Sequence, residues 1–491
     1  MEKSNTNQAI WVAIGSLSSV LTSLLTLMIL SRALSKVDYG TYNQVMYVYN
    51  TLLIVFSAGL PNAFPYFLSR GEDRNAKHLI SKINRILFVL GLFFTLALFF
   101  GSDLIAFALK NDELSKALKY FALVPMLMLP TIGLEGILST FRKTKFLALF
   151  TIVTRLMCII FVTTPVLVWN LGVESALIGF TAYSFIAFLL ALFLKRYPTR
   201  TFPSEKTTFT YKDISVFAIP LMFAGIWGII IRASDQFFIS HFFGTTVFAE
   251  FANGSIELPF VTIFIGATTV VLNPVFSKKV HSSENAKEEV LLIWRSVFSR
   301  SVKVIYPIVI FCWFFAFEII HILFGEKYLG SVDYFRIKLI VNLFTIISFG
   351  PLLLAIGATK YYQRVHLIGA IILIALEWLS VYTISSPYVI TIISVVCQIG
   401  RIFAMLFFIA KYFDIPLMKL TPPKLQLEIL VPSVLMLCLI KYMLTRFLVV
   451  DNQFLILLIG FVTFLLFFVA WVKFIKLDYS FLNNFYRFKK K

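Results

Sequence analysis

Long apolar runs, separated by short polar stretches, set the pattern of this chain. A helix needs about 20 mostly apolar residues to cross the hydrocarbon of a bilayer. Fourteen runs meet that length: 9–31, 44–69, 83–101, 117–140, 146–168, 172–194, 214–240, 246–275, 302–324, 337–357, 365–384, 388–410, 428–448 and 453–474. The pattern predicts an all-α integral membrane protein with about fourteen transmembrane helices, since a helix satisfies its own backbone hydrogen bonds in lipid. The first run follows Lys3, as a signal sequence would. It is too long for a signal h-region and no small-residue cleavage site follows, so it reads as the first span.

The charges between the runs orient them. With the N-terminus inside, the inside segments are 1–8, 70–82, 141–145, 195–213, 276–301, 358–364, 411–427 and the tail from 475. Lys and Arg favour these segments and the adjoining span ends over the opposite loops by about three to one. Removing one span would invert every later loop and destroy that bias. Both termini are therefore expected to be cytoplasmic. Once cations toward the span ends are assigned to the adjoining segments, Arg155, Arg232 and Arg401 remain inside spans.

Composition agrees. Apolar residues make up 59% and charged residues 14% of the 491, against about 25% charged in soluble domains. The 54 Phe suit lipid-facing surfaces and membrane interfaces. The net charge of +19 reads as membrane topology; no nucleic-acid-binding motif accompanies it. The tail FYRFKKK suits an anchor on anionic lipid or a solvated end. Cys158, Cys312, Cys397 and Cys438 lie in apolar runs without CxxC pairing and read as small hydrophobes.

Two inside segments are long. Residues 195–213 are polar, hold Pro198 and Pro203, and read as a linker between halves. In 276–301, Val290, Leu291, Trp294, Val297 and Phe298 recur at helical spacing, which predicts an interfacial amphipathic helix; the alternative is an extension of the next span. The halves are weakly alike. SRALSKVDYGTYN (31–43) aligns with SHFFGTTVFAEFAN (240–253), placing Tyr39 on Phe248, Gly40 on Ala249 and Tyr42 on Phe251. Six spans per half is an even number, so both halves insert with the same orientation, related by a pseudo-two-fold along the membrane normal. The expected organisation is an N-terminal six-helix lobe (1–194), a cytoplasmic linker (195–213), a C-terminal six-helix lobe (214–410), and two further helices with a basic tail (411–491). Pro61, Pro65, Pro125, Pro130, Pro220 and Pro259 fall within the runs, where each can kink its helix.

No P-loop, HExxH, GxSxG or Rossmann fingerprint is present, so neither an enzyme nor a cofactor is expected. ATP-driven transport would need a nucleotide domain on another chain. Ionisable groups at membrane depth are the candidates, because lipid makes them costly unless they face a bundle interior or water. Arg155 and Arg401 lie mid-span without an acidic neighbour on their own helices. With Arg232 they are candidate cavity cations for an anionic substrate such as a diphosphate, which a guanidinium grips bidentately. Asp235 shares a face with Arg232, and Glu257 would share one with Glu250; Glu318 and Glu377 lie toward the outer ends of their spans. These five carboxylates are expected either to couple ions or to form structural ion pairs, for example Arg232 with Asp235 or Glu250.

Two segments carry a family resemblance. ILSRALSKVDYGTYNQVMYVYNTLLIVFSAGLPNAFPYFLSRG (29–71) resembles the start of bacterial polysaccharide flippases, which export O-antigen or capsule repeat units. The shared features are Arg32, the turn Tyr39-Gly40-Thr41-Tyr42 and the pair Gly59-Leu60. IPLMFAGIWGIIIRASDQFFISHFFGTTVFAEFANG (219–254) looks like span 7 of that family through Pro220, Leu221, Arg232, Asp235, Gly244 and Phe251. Phe248 and Ala249 depart from the usual aromatic-Gly pair. The superfamily also holds multidrug extruders and the lipid II flippase. The resemblance implies a two-lobed fold in the inner membrane working by alternating access. It implies a substrate of undecaprenyl-diphosphate-linked oligosaccharide, flipped to the outer leaflet, with a glycan polymerase and chain-length regulator as partners. By analogy with the lipid II relative, spans 13 and 14 would form a groove for the polyprenyl tail. A cation-coupled drug extruder is the alternative within the superfamily. A membrane glycan polymerase or ligase is the alternative outside it, against which the short outer loops argue.

Overall fold

The computed structural model describes residues 2–169, 171–279, 286–447 and 452–475. Every long element is helical: α1 (Glu2–Ala33), α2 (Lys36–Ser57), α3 (Ala63–Leu68), α4 (Asp73–Leu109), α5 (Asp112–Phe121), α6 (Val124–Met128), α7 (Leu134–Thr140), α8 (Thr144–Trp169), α9 (Val173–Arg196) and α10 (Tyr211–Gly254). The order continues with α11 (Pro259–Lys279), α12 (Ala286–Phe314), α13 (Ala316–Phe324), α14 (Ser331–Leu339), α15 (Gly350–Ala355), α16 (Thr359–Thr383), α17 (Pro387–Tyr412), α18 (Leu417–Leu420), α19 (Pro423–Phe447) and α20 (Gln453–Phe474).

Several spanning helices are apolar on more than one face, as lipid-immersed helices are. On α4, Leu87, Phe94 and Leu98 are fully buried, whereas Leu104 and Phe107 are 73% and 80% exposed. In water the second face would be a liability; in lipid it is the solvated one. Among the described residues eleven helices are long and apolar enough to span, or twelve if α2 and the segment Leu60–Leu68, bent by 52°, count as one. Three of the fourteen expected runs are not among those eleven. The run 44–69 breaks where Ala58 and Gly59 take positive φ ahead of Pro61. The run 246–275 is interrupted after Gly254, and Pro259 opens α11 instead of kinking it. The run 337–357 is divided between α14, a 3-10 turn and α15.

The described chain forms two compact units: residues up to Ala252 with Glu377–Pro387, and Asn253–Leu376 with residues from Tyr388 on. In the first unit, Ser35 caps α2 by accepting from the Asp38 amide (3.0 Å), which stops α1 from continuing. The alignment of the two turn sequences carries Ser35 onto Gly244, and there α10 breaks, with φ 83° and ψ 175°. The helical segments after the two breaks pack together: a Cβ on Gly40 would lie 2.4 Å from the Thr245 carbonyl oxygen. The region 195–213 is strapped to the first unit. Glu205 N donates to Arg74 O (3.2 Å), Thr207 N to His78 Nδ1 (3.3 Å) and Lys82 Nζ to Phe209 O (2.7 Å).

In the second unit, the expected interfacial helix is the first part of α12, which runs unbroken into the next span. Val290, Trp294 and Phe298 are buried, so the spacing reflects packing on protein, not on a membrane surface. The added helices dock here through Gly460, where a Cβ would lie 2.2 Å from the Phe315 ring.

Candidate functional site

The eight candidate residues separate into cations without a carboxylate partner among the described residues, buried carboxylates, members of ion pairs, and two exposed residues, Arg232 and Glu257. Arg155, on α8 in the first unit, makes no hydrogen bond or ion pair with the described residues. It is close enough to Tyr49, Cys158 and Tyr183 to act on them electrostatically. Tyr49 is itself held by stacking on Phe94 at 5.8 Å and by the edge of Phe121 at 5.2 Å. Arg401, on α17 in the second unit, has a buried Nε without an acceptor among the described residues.

Arg232 does not join them. It is exposed, and its Nε reaches only the Gly228 carbonyl of its own helix, at 3.4 Å. The expected pairing of Arg232 with Asp235 or Glu250 is absent among the ion pairs of the described residues. Three residues along a helix share a face only loosely, and here Arg232 points outward while Asp235 is 2% exposed.

Asp235 enters a different group. Ser234 Oγ donates to the fully buried Glu377, and Tyr47 lies near enough to both Asp235 and Glu377 to feel their charges. Tyr47 is fixed by donating to the Ala233 carbonyl (3.1 Å). Two carboxylates from sequence-distant helices are thereby buried beside one phenol. Such a group can carry a cation or a proton.

Glu250 and Glu318 each form an ion pair. Lys36 answers Glu250, tying the start of α2 to the end of α10. Lys441, on α19, answers Glu318, on α13, with its ammonium 4.5 Å over the Phe315 ring. Glu257 is a correction: the helix ends at Gly254, so Glu257 sits exposed in the connection to α11 and shares no helical face with Glu250.

The sequence reading missed three groups. Lys195, counted as a linker charge, is 1% exposed. It donates to Asn84 Oδ1 (2.9 Å) and Ile132 O (2.8 Å) beneath the Phe64 ring. Gln44 joins Asn111 Nδ2 (2.6 Å) to Ser240 Oγ (2.7 Å) in a buried network. Lys441 carried a visible signal, a cation inside an apolar run near the same end as Glu318. Lys195 and Gln44 carried none, because only folding gathers their partners.

The sequence matches the family described as polysaccharide biosynthesis protein over residues 29–333, more than half of the chain. The chain belongs to this family. Solved structures place the fold. An inward closed form of the lipid II flippase MurJ has TM-score 0.69 at 18% identity, over 95% of this chain and 98% of that one. An inward-facing multidrug resistance MATE transporter of the MOP superfamily has TM-score 0.61 at 13% identity, over 83% and 98%. A MOP superfamily transporter from Pyrococcus furiosus has TM-score 0.58 at 15% identity, over 84% and 96%. No curated protein matches the sequence. This family member thus shares the fold of these structures, and its described helices are long and apolar enough to cross a membrane many times.

Proposed function

We propose that this protein flips undecaprenyl-diphosphate-linked oligosaccharide repeat units, of O-antigen or capsule type, from the cytoplasmic to the outer leaflet of the bacterial inner membrane. Membership of a polysaccharide biosynthesis family supports the glycan, and likeness to a lipid II flippase supports the lipid carrier. All fourteen runs cross the membrane in this reading, as six, six and two, with both ends cytoplasmic. Alternating access then moves the head group while the polyprenyl tail stays in lipid. A glycan polymerase and chain-length regulator would receive the product.

The observation that carries the reading is the pair Arg155 and Arg401, one in each unit, neither answered by a carboxylate among the described residues. An uncompensated interior cation is expensive, and a diphosphate head group would compensate it. Asp235 and Glu377 are the coupling candidates. The drug-extruder reading accounts less well for the chain, since the MATE relative above covers 83% of it against 95% for the flippase.

The test is surface glycan in a deletion strain carrying Arg155→Ala or Arg401→Ala, with protein level controlled. Each substitution should reduce glycan display about tenfold or more, the effect of losing one charge-assisted anion contact. Full display with both would overturn the assignment.

A further inference from the structure

We propose that Tyr362 and His366 complete a phosphate-binding site centred on Arg401, within the second unit. The inference rests on the flippase reading only for the origin of the phosphate, not for the site.

The geometry starts at Gly369. A Cβ there would lie 2.3 Å from Arg401 Cδ and 2.7 Å from Cγ. The arginine stem therefore occupies the space that a missing side chain leaves on α16, and any larger residue would expel it. The preceding turns of α16 carry His366 and Tyr362, both close enough to Arg401 to feel its charge. Their rings lie 4.3 Å apart. A third residue keys the helices together here, since Tyr361 Oη donates to the Ala404 carbonyl (2.9 Å) and its ring stacks on Phe408 at 4.1 Å.

The hydrogen bonds show what the cluster lacks. His366 Nδ1 lies 2.9 Å from the Tyr362 carbonyl oxygen. A carbonyl only accepts, so Nδ1 carries the hydrogen and Nε2 is the end left for a ligand. An anion beside the ring favours a second proton on it, and with that proton Nε2 would be a donor. Arg401 Nε is a buried N–H with no acceptor among the described residues. An arginine that merely snorkelled would place its head in water; this one has a buried head atom. A guanidinium with an imidazole and a phenol close by, and no carboxylate paired with it among the described residues, suits a tetrahedral phosphate oxyanion. That phosphate can belong to a polyprenyl-diphosphate head or to a bilayer lipid.

The experiment uses the full chain in zwitterionic nanodiscs, with labelled inorganic diphosphate as probe. The unmodified protein should bind it saturably, and Arg401→Ala, His366→Ala and Gly369→Val should each weaken binding at least about tenfold. His366→Arg should retain it, with an unchanged size-exclusion profile as the folding control. No saturable binding, or unchanged binding in His366→Ala or Gly369→Val, overturns the site. Discs containing phosphatidylglycerol separate the sources: displacement of diphosphate assigns a lipid head group, and its absence the diphosphate; both keep the site. Glycan display lost in Arg401→Ala with diphosphate binding intact would overturn this site and leave the flippase standing. Binding lost in variants that still display glycan would keep the site and overturn the role of Arg401 in flipping.

Discussion

Glu318 and Arg155 face the same cost in different ways. The Glu318 side chain is 6% exposed and is answered by Lys441, a quarter exposed. Removing one member of a buried pair strands the other, at about 3–5 kcal/mol. Lys441→Met should therefore lower the melting temperature in detergent clearly. Combining it with Glu318→Gln should recover part of the loss, because the stranded charge is gone. Purely additive effects would mean that the contact carries no coupling. Arg155 has no such partner among the described residues, and in the proposed reading a ligand meets its cost. Sequence alone could place both residues at membrane depth, but not tell them apart. A carboxylate's partner lies on another helix, 123 positions away for Glu318, and no local spacing encodes that distance.

Helices meet where glycine lets them. Gly40 lies against the Thr245 backbone, with 2.4 Å from its would-be Cβ to the carbonyl oxygen. Gly40→Ala should abolish accumulation of folded protein, since neither backbone can retreat. Gly400, next to Arg401, has nothing within 4 Å of a would-be Cβ. Gly400→Ala should be neutral or stabilise by up to about 1 kcal/mol, the helix-propensity gain. Expression followed by fluorescence size exclusion checks both. If both are tolerated, the packing of the two turn helices is not as close as described. The turn helices were readable in sequence as two aromatic-rich segments, Tyr39–Tyr42 and Phe248–Phe251. Their mutual contact was not, and neither was the strap, because polar residues with two prolines look like a free linker whether or not they are tied down. The spacing of Val290, Trp294 and Phe298 was read as helix correctly, yet periodicity shows a buried face without naming what covers it.

For the molecule as a whole, the decisive question is whether the broken segments cross the membrane. If 337–357 crosses, residues 325–336 lie outside and 358–364 inside; if it does not, every later loop inverts. In a background with the four cysteines replaced, Lys327→Cys should react with an impermeant maleimide in intact cells. Gln363→Cys should react only after permeabilisation. Labelling of Gln363→Cys from outside would remove that span. The positive-inside bias predicts the first outcome, because the membrane sorts Lys and Arg loop by loop.

What the sequence determined by itself follows from local physics. Run length against bilayer thickness gave an all-helical membrane protein, and charge bias gave an orientation. The cost of charge in lipid picked out Arg155, Arg232, Arg401, Asp235, Glu250, Glu257, Glu318 and Glu377 alike. Tertiary structure decided which charges are answered. It paired Glu250 with Lys36 and Glu318 with Lys441, buried Lys195, gathered Asp235 and Glu377 around Tyr47, and left Arg401 Nε without an acceptor among the described residues. The physical reason is one of range: hydropathy and insertion act on each segment as it stands, whereas compensation of a charge depends on groups that only packing brings within a few ångströms.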